Sequence, residues 1–364
     1  MGRLTELLRR PPPSLVGVDI SARRIRLLEF ERAGAGLRVA AYASAALDND
    51  AAQDFSIDSV EPVARGIRTA LEHSGTRTRQ AAIAVSGPDV ISKTILMPAA
   101  LDDMELEQQI HLDIEHYVSH PIAEVHVDFQ ILEPDPKDPD YNRVLLVACR
   151  RETVELRMAA LEMAGLKVRI VDVEEYALQN ACSLLAPVAA DDGVTDGESV
   201  AVFDVGALDT RLTVQQGPRS RYARNIAFGG LHVARELVRQ YRLDDIDQLH
   251  AKLRVGELRA EDIAAEITGF AQELAAHIER ALDFYLSASA ESHERITRVV
   301  VTGGVARYPG LEALLAEQLE WSTTLGNPLA GMPATAPAYR NHVETEAPAL
   351  MVAAGLALRG VHSA

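Results

Sequence analysis

The sequence predicts a duplicated α/β fold, and three observations carry that expectation. A strand, a turn and a returning strand, SLVGVDI-SARR-IRLLEF at 14–30, recur as SVAVFDV-GALDT-RLTV at 199–214, about half a chain later. Each first strand closes on an aspartate, Asp19 or Asp204. A further apolar strand, VVVT, runs into the diglycine turn Gly303-Gly304. With 364 residues there is room for about two to three domains, each with a core large enough to fold without staples.

The elements follow in order. Residues 1–13 read as a flexible N-terminal segment ending in the stiff spacer Pro11-Pro12-Pro13, and the first strand-turn-strand unit follows it. Ile91 to Met97 is a strand. Asp102 with Glu105 three residues on makes a capping-box start for a helix whose Leu106, Ile110, Ile114 and Tyr117 share one face. Strands follow at Val125–Leu132 and Arg143–Ala148, joined by the loop PDPKDPDYN. A helix from Glu152 to Ala164 is stopped by Gly165, and a strand runs from Lys167 to Val173. Residues 91–173 thus read as one compact α+β insert. The Ala-, Asp- and Gly-rich stretch at 186–199 is the expected hinge. Beyond the second copy, Ile263, Ile267, Phe270, Leu274, Ile278 and Leu282 keep spacings of three and four, so 260–287 is a long amphipathic helix; its stripe fits its own core or a heptad partner. The diglycine turn leads to a helix entered through Pro309, and the apolar run Ala347–Leu358 reads as a buried helix.

Composition excludes several function classes. Fifty-three acidic against 36 basic side chains leave a formal charge of −17, which repels nucleic acid and anionic lipid surfaces. Aromatics make up only 5%, too few for a base-stacking platform. The two cysteines, Cys149 and Cys182, sit singly in apolar stretches, which fits a reducing compartment and gives neither a disulfide framework nor a zinc site. No apolar run reaches the roughly 18 residues of a membrane span, and Met1–Arg10 has no signal-like apolar core, so a cytoplasmic location is expected. The 11 histidines are scattered, with no metal-ligand spacing and no Ser-His-Asp arrangement.

A carboxylate at the end of a buried strand, beside a tight turn with outward amides, is how α/β proteins hold hydrated magnesium next to phosphates. Asp19 and Asp204 both fit, and if their strands face each other across a cleft they would serve as the metal residues of one site. Gly206 allows close backbone approach there, and Ser21 and Thr210 offer hydroxyls. Gly303 and Gly304 leave bare backbone that can lie against a purine or an α-phosphate. Singly, each motif is an ordinary turn cap; the mirrored pair is what points to a nucleotide. In the connecting segment VDVEEYAL, Glu174 and Glu175 are the catalytic candidates for positioning an attacking water, and either can equally cap the helix that begins there.

The strings LVGVDIS, ISKTILMP, VLLVACRRETVE, AGLKVRIVDVEEYAL, VFDVGALDT, FGG, VVVTGG, NPLAGM and APALMVAAGLALR resemble, along nearly the whole chain, the PilM family of type IV pilus assembly proteins within the actin-like ATPase superfamily. The resemblance implies an actin-like, ribonuclease H-like pair of domains. Subdomain 1A would take 14–90 and 174–197, a small α+β 1C subdomain 91–173, 2A 198–228 and 296–340, and 2B 229–295, with a C-terminal helix at 341–364 returning to 1A. It implies ATP with Mg2+ as cofactors. Asp19, Ser21, Ala22 and Arg26 would belong to the first phosphate loop, and Asp204, Gly206, Ala207 and Thr210 to the second. Gly229 and Gly230 stand in the FGG block, Gly303 and Gly304 would meet the adenosine, and Lys252 matches a position near ribose or base. As partners it implies the N-terminal cytoplasmic peptide of PilN in a groove between 1A and 1C, the PilN-PilO inner-membrane complex and the pilus motor ATPases. A homo-oligomer is compatible with it. Membrane contact would be peripheral and only through partners, with a role in twitching motility.

The chain departs from the family pattern at both loops. Arg26 stands where a lysine is usual, after Ala22, Arg23 and Arg24, and the second loop carries Leu208, Asp209 and Arg211 where small hydroxyl residues are common. Asp209 brings negative charge towards a triphosphate unless Arg211, Arg23 or Arg26 offsets it, so ATP binding is better supported than hydrolysis. Two other readings compete: an FtsA-like division protein, whose family carries a basic amphipathic tail not found after GLALRGVHSA, and a phosphotransferase, which would need a base aimed at an acceptor hydroxyl.

Overall fold

β1 (Val16–Ile20) turns back into β2 (Arg24–Ala33), and β2 into β3 (Gly36–Ala46). After a two-residue strand pair at Ala52–Gln53 and Ser56–Ile57, α1 (Val60–Ser74) buries Val63, Ile67 and Leu71 against these strands. β4 (Gln80–Val85) then pairs parallel with β1. The computed structural model describes residues 15–34, 36–47, 52–53, 56–57, 59–185, 198–217, 219–288, 295–333, 343 and 345–362. The proline spacer and residues 186–197 of the hinge expected at 186–199 lie outside the described residues, while Glu198 and Ser199 belong to a strand.

β5 (Val90–Pro98), α2 (Asp103–Tyr117), β6 (Val125–Pro134) and β7 (Tyr141–Arg150) make a separate antiparallel sheet in the order β5-β7-β6. Helix α2 starts at the expected capping box: Glu105 N donates to Asp102 Oδ1 at 2.8 Å, and Asp102 N to Glu105 Oε2 at 3.1 Å. Its Leu106, Ile110 and Ile114 fill a core with Val144 and Leu146 of the central strand.

The stretch 91–173, expected as one insert, divides here. α3 (Arg151–Met163) packs on α1, and β8 (Lys167–Val173) pairs parallel with β4 as the edge strand of the first sheet. The reason lies in the strand's own pattern: Lys167 and Arg169 are exposed while Val168 and Ile170 turn towards the domain, and its backbone finds a ladder along Gln80–Val85.

α4 (Glu174–Cys182) leads to the second half: β9 (Glu198–Val205), β10 (Thr210–Gln216), β11 (Arg219–Ile226), α5 (Leu231–Gln240), α6 (Ile246–Val255), α7 (Ala264–Ala288), β12 (Arg295–Thr302), α8 (Leu311–Gln318) and β13 (Ser322–Leu325). α9 (Met351–His362) closes the described chain after a 3-10 turn at Ala347–Leu350.

The two large sheets have one topology. In β3-β2-β1-β4-β8 and in β11-β10-β9-β12-β13 the first two pairings are antiparallel and the last two parallel. The stripe on α7, from Ile267 through Phe270, Leu274 and Ile278 to Leu282, is buried in the core of its own sheet, so no heptad seam is left for a partner. α4 and α9 lie between the halves, where Leu178, Ala181, Leu350, Ala354 and Leu358 join Leu28 and Phe30 of one sheet to Val202 and Val300 of the other. The helices touch backbone to backbone: a Cβ on Gly355 would lie 1.7 Å from the Ala177 carbonyl oxygen, so only glycine fits that crossing. This burial on all sides explains the apolar run at 347–358. No helix among the described residues is long and apolar enough to cross a membrane.

Candidate functional site

The mirrored sheets bring the two aspartate turns together. In the first hairpin Asp19 stands directly opposite Arg26 in the ladder; in the second, Asp204 stands directly opposite Arg211. Both turns are closed by the same bond: Ser21 N donates to Arg24 O at 3.0 Å, and Gly206 N to Asp209 O at 2.8 Å. Two turns built alike, each at the end of a central strand, face one cleft between the halves. Asp19, Ser21, Ala22 and Arg26 line it from the first half, and Asp204, Gly206, Ala207, Gly230, Gly303 and Gly304 from the second. Glu174, the first residue of α4, completes the floor.

The diglycine turn fits its expected place. Gly303 has φ +93°, and a Cβ there would lie 2.3 Å from the Val205 carbonyl oxygen, so the turn passes directly under the end of β9. The FGG block buttresses the second phosphate turn: Gly230 N donates to Gly206 O at 3.0 Å and Leu231 N to Ala207 O at 2.9 Å. Gly229 sits behind it, outside the cleft lining.

Besides Gly229, three expected site residues are placed elsewhere. Thr210 Oγ1 donates to the Phe228 carbonyl at 2.7 Å and is buried in the sheet, so its hydroxyl is spent on holding β10 to the chain after β11. Lys252 lies outside the cleft lining, its ammonium paired with Glu257. Glu175 also lies outside the cleft lining and accepts from Gln179 Nε2 at 3.3 Å, whereas Glu174 lines the cleft.

Arginines dominate the electrostatics. Arg211 Nη1 lies 2.9 Å from Glu174 Oε1 and 3.5 Å from Asp204 Oδ2, and its Nη2 is 3.6 Å from Asp209 Oδ1. Arg26 Nη1 lies 3.1 Å from Asp19 Oδ2. Arg24 pairs with Asp247 of α6, so two ion pairs, this one and Arg211 with Glu174, span the halves. Arg307 binds Glu346 and the Gly304 carbonyl, and its Nη2 lies 3.3 Å from His250 Nδ1. Burial, reinforced by Arg307 and its neighbours, pushes His250 down to about 2, which keeps it neutral and able to accept that bond. Burial pushes Asp204 up to about 6, against the pull of Arg211 and of Thr302 Oγ1, which donates to Asp204 Oδ1 at 2.9 Å. Burial likewise raises Asp19, against the pull of Arg26.

Sequence reading did not single out Arg24, Arg157, Asp247, His250 or Arg307, all of which line the cleft. Arg157 had a usable signal: it falls on the buried stripe of α3 between Val154 and Leu161, where a solvated arginine does not belong. The contacts of Arg24 with Asp247 and of Arg307 with Glu346 join distant parts of the chain and leave no local trace.

Asp19 and Asp204, expected as the metal residues, do converge on the cleft, but each carboxylate is already held by a guanidinium. Among the described residues no group of three or more His, Cys, Asp or Glu is arranged to hold a metal ion. The guanidinium beside each carboxylate, rather than the number of protein ligands, is what disfavours a cation caged by this pair.

A family model described as type IV pilus assembly protein PilM matches residues 17–361. The structure is similar to that of a PilM-PilN type IV pilus biogenesis complex, with TM-score 0.75 and 25% identity over 96% of this chain and 99% of that one. It also resembles ethanolamine utilization protein EutJ from Carboxydothermus hydrogenoformans (TM-score 0.54, 16% identity, 96% and 90% covered). A diol dehydratase-reactivating factor in nucleotide-free form matches at TM-score 0.51 and 10% identity, with 97% and 100% covered.

Proposed function

This chain belongs to the family of type IV pilus assembly protein PilM and has its actin-like fold, and we propose that it is an ATP-binding assembly protein of the pilus inner-membrane platform that captures the cytoplasmic N-terminal tail of PilN. The observation that carries the nucleotide reading is the convergence of two identically closed turns and the Gly303 turn on one cleft between the halves. A triphosphate there bridges both halves: the turns at 21–24 and 206–209 offer it backbone amides, and Gly303-Gly304 offer flat backbone to the base. Bound ATP thus fixes the relative position of the halves, and with it the surface that receives a partner.

We propose the small sheet and the neighbouring edge of the first sheet as the partner surface. Eight of the ten large apolar side chains exposed among the described residues fall between Leu96 and Val171, including Met104, Leu112 and Tyr141. β8 is an edge strand, so an extended peptide can add to its open side by backbone hydrogen bonds while side chains such as Val171 sort its residues. Through PilN the protein would join the PilN-PilO complex and the motor ATPases, and so stay peripheral to the membrane.

The phosphotransferase reading lacks a base. Each of the five carboxylates lining the cleft has an arginine partner: Asp19 with Arg26; Glu174, Asp204 and Asp209 with Arg211; Asp247 with Arg24. An FtsA-like role is disfavoured by a family match that runs from residue 17 to 361.

Fluorescence anisotropy of a labelled PilN-tail peptide tests the groove. Val171→Asp should weaken the peptide by at least about tenfold while melting temperature and ATP affinity stay unchanged. Unchanged peptide affinity would remove the groove from this position.

A further inference from the structure

The two strand-tip aspartates share a feature with no counterpart in the magnesium scheme: each has an arginine seven positions on, directly opposite in the hairpin ladder, Asp19 with Arg26 and Asp204 with Arg211. The four-residue turns at 21–24 and 206–209 impose that register, so both guanidinium groups are delivered to the cleft by the fold itself. Their positions are interior ones, with side chains 11% and 16% exposed. A magnesium ion held by these carboxylates would sit beside two fixed positive charges, Arg26 on Asp19 Oδ2 and Arg211 near Asp204 Oδ2, and their repulsion opposes it.

Two guanidinium groups, by contrast, bring the charge of one divalent cation. Their planar N–H forks match phosphate oxygens bidentately, and phosphate is one of the few groups that can use several donors of one arginine at once. Arg26 lines the cleft while its Nη1 meets Asp19 Oδ2, so a phosphate oxygen can join that guanidinium from the cleft side. Arg211 already spreads over three carboxylates, and a phosphate oxygen can join that set without removing the guanidinium from it. Around them, Arg23, Arg24, Arg157 and Arg307 bring the lining to six arginines, which with Glu346 behind Arg307 balance six carboxylates, so the cleft lacks the acidic excess of a chain of formal charge −17.

We propose that this cleft takes the polyphosphate of a nucleoside triphosphate as the free anion, with Arg26 and Arg211 standing where a divalent cation would otherwise stand. The inference rests on the nucleotide reading above and narrows it: binding needs no metal, and the cleft is a binding site first. Nothing in it requires cleavage of the triphosphate.

Isothermal titration of ATP onto the full chain, once with excess magnesium and once with excess EDTA, tests this. The expected dissociation constants agree within about threefold. Arg211→Ser should weaken binding in EDTA by at least about tenfold more than in magnesium, because the vacated carboxylates can then accept the ion. Arg26→Lys, which keeps the charge opposite Asp19 and loses the fork, should show the same bias to a smaller degree, and its melting curve confirms that it folds. ATP bound in magnesium but weakened by about a hundredfold or more in EDTA would overturn the inference and leave the nucleotide reading standing. No binding in either condition would overturn both.

Discussion

Arg211 reaches across the cleft to Glu174, Nη1 to Oε1 at 2.9 Å, and so ties a hairpin of the second half to the first turn of α4, which packs with the first. Both side chains are largely buried, at 16% and 14% exposure, and the same guanidinium lies near Asp204 and Asp209. One arginine therefore bonds to three carboxylates on the floor of the site and joins its two walls.

Removing it should be expensive. Arg211→Ala leaves three buried carboxylates without their cation, and a loss of about 3–5 kcal/mol is expected in urea denaturation. Glu174→Gln, which keeps a hydrogen-bond acceptor, should cost about 1 kcal/mol or less. A loss below about 1 kcal/mol for Arg211→Ala would mean that water, not Arg211, compensates those carboxylates.

Asp204 makes stability depend on pH. Its folded value, about 6, lies above the ordinary 3.8, because burial outweighs Arg211 and the Thr302 bond. The folded state then holds this proton more tightly than the unfolded chain, so the contribution is fully present below about pH 4 and is lost as pH rises through about 6. Asp204→Asn removes that dependence. Between about pH 4 and 7 the stability of the native protein should fall relative to the variant by up to about 3 kcal/mol, read from paired denaturation curves. A constant difference across that range would contradict the assignment.

Gly355→Ala should destabilise the junction of the halves. The added Cβ meets the Ala177 carbonyl oxygen at 1.7 Å, so α4 and α9 must separate. A loss of about 2–4 kcal/mol is expected. Equal thermal melting of variant and native protein would show that the crossing is looser than described.

Lys252→Ala serves as a control. Its ammonium is engaged by Glu257 outside the cleft, so ATP affinity should change by less than about twofold, as read by calorimetry. A tenfold loss would place Lys252 at the base or ribose after all.

The mirrored turns, the α7 stripe and the Asp102 capping box could be read from sequence because each depends on neighbours a few positions apart. The pairing of each aspartate with the arginine seven positions on becomes a contact only once a four-residue turn fixes the hairpin register, and sequence reading did not single it out. Thr210 and Lys252 were misplaced for a related reason: residue type suggests a ligand, whereas the ladder and Glu257 decide where each side chain goes. β8 looked like part of the small domain because it follows α3 directly, and only its pairing with β4, distant in sequence, returns it to the first sheet. The contact of Arg24 with Asp247 spans most of the chain, and no periodicity reports it.

The central claim is that a nucleotide in the cleft fixes the surface that receives PilN. Calorimetric titration of a PilN-tail peptide onto the protein, with and without saturating ATP, measures this directly. ATP should tighten the peptide by about 5- to 150-fold, the usual range of coupling between two linked sites. Identical peptide affinity in both titrations would contradict the account.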